Sequence, residues 1–298
     1  MSDALTEWMH VLRAHGVIVA RNRLPARWGV AMAARPATAF HYLPRGRAFL
    51  RVEEQPWIEL CEGDLVLVTR GDAHTLVGEL DCEPIPLAQI VVAPAPFTGE
   101  HCTTLVCGEY SDDTKLDGAP WHALPAVAHF RHAELEADDA LRTTLGLLRA
   151  EVERPMVGGD ALARHLLDAL FVYLLRAWGR SARCEGTLLG GLQDAALAKA
   201  LRRMHEQPAG EWTVESLAAE ARLSRAAFAR RFTEAFGESP MGYLTRWRMT
   251  LATRFLADGA LSVAEIADRV GYRSEFAFSR AFKRLRGAAP SLYRRSLE

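Results

Sequence analysis

Two arginines define the first chemistry to look for. Arg230 and Arg280 are each bracketed by phenylalanines, in Phe228-Ala229-Arg230-Arg231-Phe232 and Phe278-Ser279-Arg280-Ala281-Phe282. A guanidinium can bind guanine O6 and N7 bidentately, and a carboxylate can accept from cytosine N4. Helical spacing turns the phenylalanines inward and exposes a polar face beside each arginine. The first face holds Arg225, Ala226, Ala229 and Arg230; the second holds Glu275, Phe276, Ser279, Arg280 and Lys283. Such faces suit the edges of base pairs. They are unequal, because Ala226 and Ala229 can touch thymine methyls but cannot hydrogen-bond.

A second group could do different chemistry. His41 and His74 are imidazoles at the ends of apolar runs, suited to lining or bracing a ligand pocket. Three cysteines, Cys82, Cys102 and Cys107, are candidates for redox chemistry, with His101 beside Cys102. Cys102 and Cys107 lie five apart around an expected strand, so they point to opposite faces and are not expected to pair within it. Two imidazoles fall short of the three or four protein ligands a metal usually takes. No metal, cofactor or catalytic residue is assigned.

The elements that must position the arginines come from an internal repeat. Thr213 to Phe232 reads TVESLAAEARLSRAAFARRF, and Ser262 to Phe282 reads SVAEIADRVGYRSEFAFSRAF. Both show a polar N-cap, a short helix, a tight turn and a second capped helix, which is a helix-turn-helix pattern at about 213–234 and 262–284. Ala218 and Ala267 are small where the two helices must cross. A capped second helix leaves free amides at an end that suits phosphate. Between the units, Pro240 to Ala257 reads as one helix of about 18 residues, roughly 27 Å long. That is the right order to set two reading helices about one DNA turn, ~34 Å, apart.

Charge agrees with this division. The chain of 298 residues has a net charge of −1, but Gly191 to Glu298 holds 18 Lys+Arg against 12 Asp+Glu, and the part before it 18 against 25. A basic C-terminal third suggests nucleic acid there and another partner elsewhere. The start, MSDALTEWMH, lacks the order of a signal peptide, and the most apolar helical run, Ala161 to Trp178, is broken by four polar residues. Five cysteines without metal-ligand spacing fit a reducing cytoplasm.

The N-terminal half opens with an amphipathic helix marked by Leu5, Trp8, Met9 and Leu12, ending near His15-Gly16. From Val17 to Tyr110, short apolar or alternating runs separated by Pro and Gly read as the strands of a sandwich or barrel. After Pro125 the chain is expected to turn helical. Leu141, Leu145, Leu148 and Val152 mark one helix, and Asp160 is expected to cap a second, whose apolar stripe from Leu162 to Trp178 is wide enough for a dimer seam.

These residues carry a family resemblance. Trp212-Thr213-Val214, Leu217-Ala218, Ser224, Phe228, Arg230, Phe232, Ser239-Pro240, Tyr243-Leu244, Arg246 and Arg248-Met249 are followed by Ser262-Val263 and Ile266-Ala267. The pattern closes with Val270-Gly271-Tyr272, Ser274, Phe278-Ser279-Arg280, Phe282-Lys283, Pro290 and Tyr293-Arg294. About 100 residues thus strongly resemble the AraC family of bacterial transcription regulators. Gly63 to His74, as G-x5-T-x-G-x2-H, resembles the second cupin motif, with Thr69 where Pro is common. The first cupin motif is hard to find: if Gly46 takes its glycine, Ala39 falls where its Glu should be. The resemblance implies an effector-binding cupin, dimerising helices and a promoter-binding domain. It places base reading at Ala226, Ala229 and Arg230 in the first unit and at Glu275, Phe276, Ser279 and Arg280 in the second.

The expected fold is therefore α+β. A cupin-like β-barrel with a helical dimerisation part occupies 1–180 (helices about 136–180), a linker 181–191, and an all-α domain with two helix-turn-helix units 192–298. The expected function is sequence-specific transcription regulation, as an activator among other modes, under control of a small-molecule effector. Expected partners are double-stranded promoter DNA, that effector, RNA polymerase and a second copy of the chain, in a bacterial cytoplasm at the nucleoid and not at a membrane. The rival readings are a thiol-based oxidant sensor and a cupin metalloenzyme fused to a DNA-binding domain.

Overall fold

The computed structural model describes residues 3–13, 15–87, 103–111, 124–154, 156–181, 184 and 187–296. Cys102 lies outside them. The chain forms two compact units that do not follow chain order: one is drawn from Met1–Arg13 and Trp178–Glu298, the other from Ala14–Lys115 and Leu124–Ala177.

The second unit is built on two five-stranded sheets. Strands β1 (His15–Leu24), β2 (Gly29–Met32), β3 (Thr38–Arg45), β4 (Ala48–Val52), β5 (Ile58–Leu60), β6 (Leu65–Val68), β7 (His74–Val77), β8 (Ile85–Pro86), β9 (Thr103–Ser111) and β10 (Val127–Phe130) pair in the orders β1-β9-β3-β6-β10 and β5-β4-β7-β2-β8. Every pairing is antiparallel except β2 with β8. One apolar cluster draws on both sheets, with Leu43, Val66, Val68 and Leu105 from the first and Leu50, Val52, Leu60 and Leu76 from the second. The inner faces therefore meet across a common core, as in a flattened barrel.

Two details of the 63–74 segment follow from local chemistry. Gly71 has φ 71°, and a Cβ there would stand 1.7 Å from the Arg35 carbonyl oxygen, so only glycine fits. Thr69 replaces the common proline because its N–H is in use, donating to Ala126 O at 3.0 Å, while its hydroxyl donates to Pro125 O at 2.9 Å. The segment with which Thr69 pairs contains a departure from expectation. The chain does not turn helical at Pro125 but first adds β10 to the edge of β6. Four residues, Val-Ala-His-Phe, are too few for periodicity to register.

Helices then cover this sheet. α2 (His132–Glu136) and α3 (Asp139–Glu153) precede α4 (Gly159–Arg180). Asp160 is not the cap of α4, as expected, but lies in its first turn, where it reaches Arg21 at 3.0 Å. Leu167, Leu170, Phe171, Leu174 and Leu175 are buried; Phe171 stacks on Tyr110 of β9 at 4.2 Å, and the Tyr110 hydroxyl donates to Leu167 O at 2.7 Å. Much of the wide stripe is thus consumed by the sheet.

The first unit is helical. α1 (Ala4–Leu12) is capped by Asp3 and stopped by Arg13 in the left-handed region (φ 49°), earlier than the Gly16 expected to end it. It packs with α6 (Ala195–Glu206) and α9 (Pro240–Asp258). Trp8, fully buried, donates to the Tyr243 hydroxyl at 2.9 Å, and His205 reaches the same oxygen at 2.8 Å. Where a linker was expected, α5 (Leu188–Gly191) forms a short helix and Cys184 is buried.

The repeat folds twice in the same way. α7 (Val214–Glu220) turns into α8 (Arg225–Phe236), and α10 (Val263–Arg269) into α11 (Glu275–Arg286). In each turn an amide reaches back to the crossing alanine: Leu223 to Ala218 O at 2.9 Å, and Tyr272 to Ala267 O at 2.8 Å. The left-handed turn residue is Arg222 (φ 56°) in the first copy and Gly271 (φ 80°) in the second. Each copy ends on a left-handed glycine, Gly237 or Gly287, and a new helix with proline in its first turn, α9 or α12 (Pro290–Arg295). The repeat is therefore three helices long.

Candidate nucleic-acid interface and barrel cavity

The two candidate reading helices are anchored by their aromatic faces. Phe228 and Phe232 of α8, and Phe278 and Phe282 of α11, are fully buried. Ser224 and Ser274 cap them, accepting from Ala227 N at 3.3 Å and Ala277 N at 3.2 Å. With one stripe fixed inward, the opposite stripe must face out. Arg225, Ala226 and Arg230 of α8 are exposed and Ala229 is half-buried; Glu275, Phe276, Arg280 and Lys283 of α11 are exposed and Ser279 is half-buried. Phe276, at 78% exposure, is a large apolar side chain at the tip of its helix.

The two faces differ in readiness. Arg225 is held by Glu215 at 2.7 Å and Arg230 by Glu234 at 3.2 Å. Exposed pairs of this kind are worth roughly 0.2–1 kcal/mol, so they tax a contact without preventing it. Arg280 and Lys283 have no ion pair among the described residues, and are free to meet an anion or a base. The connecting α9 has 19 residues, about 28 Å at 1.5 Å per residue.

The barrel holds a cavity of about 180 Å³ lined mainly by Val19, Leu24, Val30, Met32, Leu76 and Leu105. His41, His74 and Cys107 share its wall. Sequence reasoning separated these three, placing the histidines in an effector pocket and the cysteine among redox candidates. Register unites them. His41 of β3 is paired directly with Cys107 of β9, which puts both side chains on one face. His74 begins β7 in the opposite sheet and meets His41 across the interior.

The hydrogen bonds run one way. His74 Nδ1 lies 2.8 Å from the Asp72 carbonyl oxygen, which can only accept, so Nδ1 carries the proton and Nε2 must accept. His41 Nε2, 2.9 Å away, therefore donates to it. That leaves His41 Nδ1 to accept from the Cys107 thiol at 2.9 Å. Burial, and after it the neighbouring His74, hold His41 well below its ordinary pKa, and burial lowers His74 as well. The Cys107 thiol is pushed up to about 12 by burial. All three groups are thus neutral at rest.

This arrangement bears on both rival readings. The imidazole nitrogens are 2.9 Å apart with ring centroids at 5.0 Å, so the rings meet nearly end-on, as a hydrogen bond requires, rather than converging on a shared ion. Ala39 also lines the cavity where the cupin Glu would stand. An oxidant sensor works through an accessible thiolate, and the raised pKa of the half-buried Cys107 thiol opposes one at rest. Cys82 is half-buried beside Glu79 and Asp81, whose carboxylates are taken by Arg27 at 2.8 and 2.9 Å.

Residues 3–180 match the Cupin family and residues 217–296 the helix-turn-helix domain family. The chain is 32% identical to a putative AraC-like transcription regulator of Streptomyces antibioticus, over 98% of each chain. It is 31% identical to the transcriptional regulator AlkR of Acinetobacter baylyi, over 90% of each. Among solved structures, the DNA-binding domain of AdpA in complex with a target DNA is 36% identical, covering 33% of this chain and 89% of that one, with a TM-score of 0.32. A cupin joined to a DNA-binding helix-turn-helix domain defines a class of transcription regulator. The chain belongs to the AraC-like transcriptional regulators. No described helix is long and apolar enough to cross a membrane.

Proposed function

We propose that α8 and α11 enter successive major grooves on one face of promoter DNA, and that a small molecule in the barrel cavity sets when they do so. The observation that carries this reading is the equivalence of the two capped, phenylalanine-anchored helices on either side of a 19-residue α9. Arg230 and Arg280 are the strongest base readers, with Glu275, Ser279 and Phe276 completing the second face. Ala226 and Ala229 make the first face a reader of shape and methyl groups. Arg225 and Lys283 stand where phosphates would run.

The effector acts by binding one of two arrangements of the chain more tightly than the other. The chain works as a homodimer in the cytoplasm, recruits or obstructs RNA polymerase, and catalyses no reaction of its own. Exposed Leu147, Met156, Val157 and Leu162 around the α3–α4 connection support a dimer seam there. The grooves are tested by binding to operators with five base pairs inserted between the two subsites. Half a turn rotates one groove away, so two-site affinity is expected to collapse to that of a single unit. Unchanged affinity would show that only one helix engages DNA.

A further inference from the structure

We propose that Cys107 is a covalent capture site for a small, uncharged carbon electrophile of the α,β-unsaturated carbonyl class. This rests on the reading of the barrel cavity as the effector site and goes beyond it by naming the chemistry of the occupant.

Three observations carry the proposal. The first is the directed chain from Cys107 through His41 and His74 to the Asp72 carbonyl, with separations of 2.9, 2.9 and 2.8 Å. A nucleophile within reach of a base, and a base oriented by a third group, is the arrangement of covalent catalysis. The second is position. Cys107 is half-buried on the cavity wall, while His41, only 2% exposed, is shielded from solvent. All three line the cavity, and the thiol is the most exposed of them. The third is the cavity itself. Its walls are largely aliphatic and its volume is about 180 Å³, similar to cavities of ~150 Å³ that accept benzene. It admits one compact ring against mostly apolar walls, in which Arg35 and Glu109 are the charged members and pair with each other at 3.5 Å.

The step balances without an oxidant or cofactor. The Cys107 sulfur bonds the β-carbon of the enone as its proton passes to His41 Nδ1. The alkene electron pair moves to the carbonyl oxygen as an enolate. The imidazolium formed at His41 is held by its Nε2–H bond to His74, whose own tautomer is fixed by Asp72. His41 then returns the proton to the α-carbon, and the saturated thioether remains. Nothing leaves. Proton transfer from Cys107 to His41 is unfavourable in the resting chain, so it must accompany sulfur–carbon bond formation, which restricts reaction to an electrophile held against the sulfur.

The test uses the full chain, 2-cyclohexenone as reactive probe and cyclohexanone as its unreactive counterpart. Adducts are located by peptide mapping, which separates Cys107 from the exposed Cys61. The expected result is a Cys107 labelling rate that saturates with probe and is blocked competitively by cyclohexanone, while Cys61 labels without saturation. His41→Gln is expected to slow the Cys107 labelling rate at saturating probe by about 100-fold or more. Should that variant not fold, the saturation and competition in the unmodified chain decide alone. Binding of both probes, seen by ligand-observed NMR, with Cys107 left unmodified would overturn the capture step and leave the cavity reading standing. Labelling that never saturates would overturn it as ordinary thiol reactivity. Failure of either probe to bind or react would overturn both.

Discussion

Removing the guanidinium from each reading helix tests the inequality between the two faces. Arg280 is exposed and has no ion pair among the described residues, so Arg280→Ala removes a contact whose side chain was free to be used. A bidentate arginine–guanine pair is worth ~1–3 kcal/mol, or roughly a 5- to 150-fold rise in Kd. Arg230 must first leave Glu234, at 3.2 Å, and that exposed pair costs about 0.2–1 kcal/mol to break. Arg230→Ala is therefore expected to cost less than Arg280→Ala by about that amount. Glu234→Ala, which frees Arg230 and removes a carboxylate near the phosphates, is expected to tighten binding slightly. The assay is fluorescence anisotropy of the full chain on an operator and on its single-base variants, at one fixed salt concentration. Each arginine variant should flatten the preference at a single base pair. Equal weakening on operator and random DNA would mean that these side chains touch only phosphate, and the base-reading assignment would be lost.

Three further outcomes concern stability. Trp8→Ala removes a fully buried aromatic and its bond to Tyr243, and is expected to destabilise the helical unit by about 3–5 kcal/mol in urea unfolding; a cost below ~1 kcal/mol would show that α1 is not part of that unit's core. His205 is held neutral by burial, with a pKa lowered from 6.5 to about 3, so the unfolded chain binds a proton that the folded chain refuses. Its contribution is complete above pH ~6.5 and is lost as pH falls toward ~3, by up to about 1.4 kcal/mol per pH unit, and His205→Asn should flatten that slope. Gly271→Ala combines φ 80° with a Cβ 2.7 Å from Ala209 Cα and should cost well over the ~1 kcal/mol of Gly237→Ala, where nothing lies within 4 Å; equal melting temperatures would refute the steric argument.

Both candidate reading helices were legible in the sequence because their determinants are local. A serine three residues before an amide it can cap, phenylalanines four apart and a glycine where the chain must reverse are decided within one or two helical turns. The same holds for the motif ending at His74, whose Gly71 meets a steric demand that sequence pattern records. The short β10 was missed because pairing with β6, rather than any pattern of its own, makes it a strand. Asp160 resembled a cap, but Gly159 had already entered the helix.

What only the tertiary structure decided lies in contacts between distant residues. Cys107 and His41 are 66 positions apart, and His41 and His74 are 33 apart. No periodicity brings them together; the β3–β9 register and the meeting of two sheets do. Trp8 and Tyr243 are separated by 235 positions, and the helix that opens the chain belongs to the helical unit although its sequence reads only as amphipathic. A hydrophobic stripe specifies that a helix must be covered but does not name the cover. The sequence by itself determined the class of protein and the two exposed helix faces proposed to read DNA, since caps, turns and core stripes are short-range and chemically particular. The neutral thiol–imidazole chain in the barrel, and the place of α1, follow from nonlocal packing, in which many apolar partners are chemically equivalent and only the folded geometry selects among them.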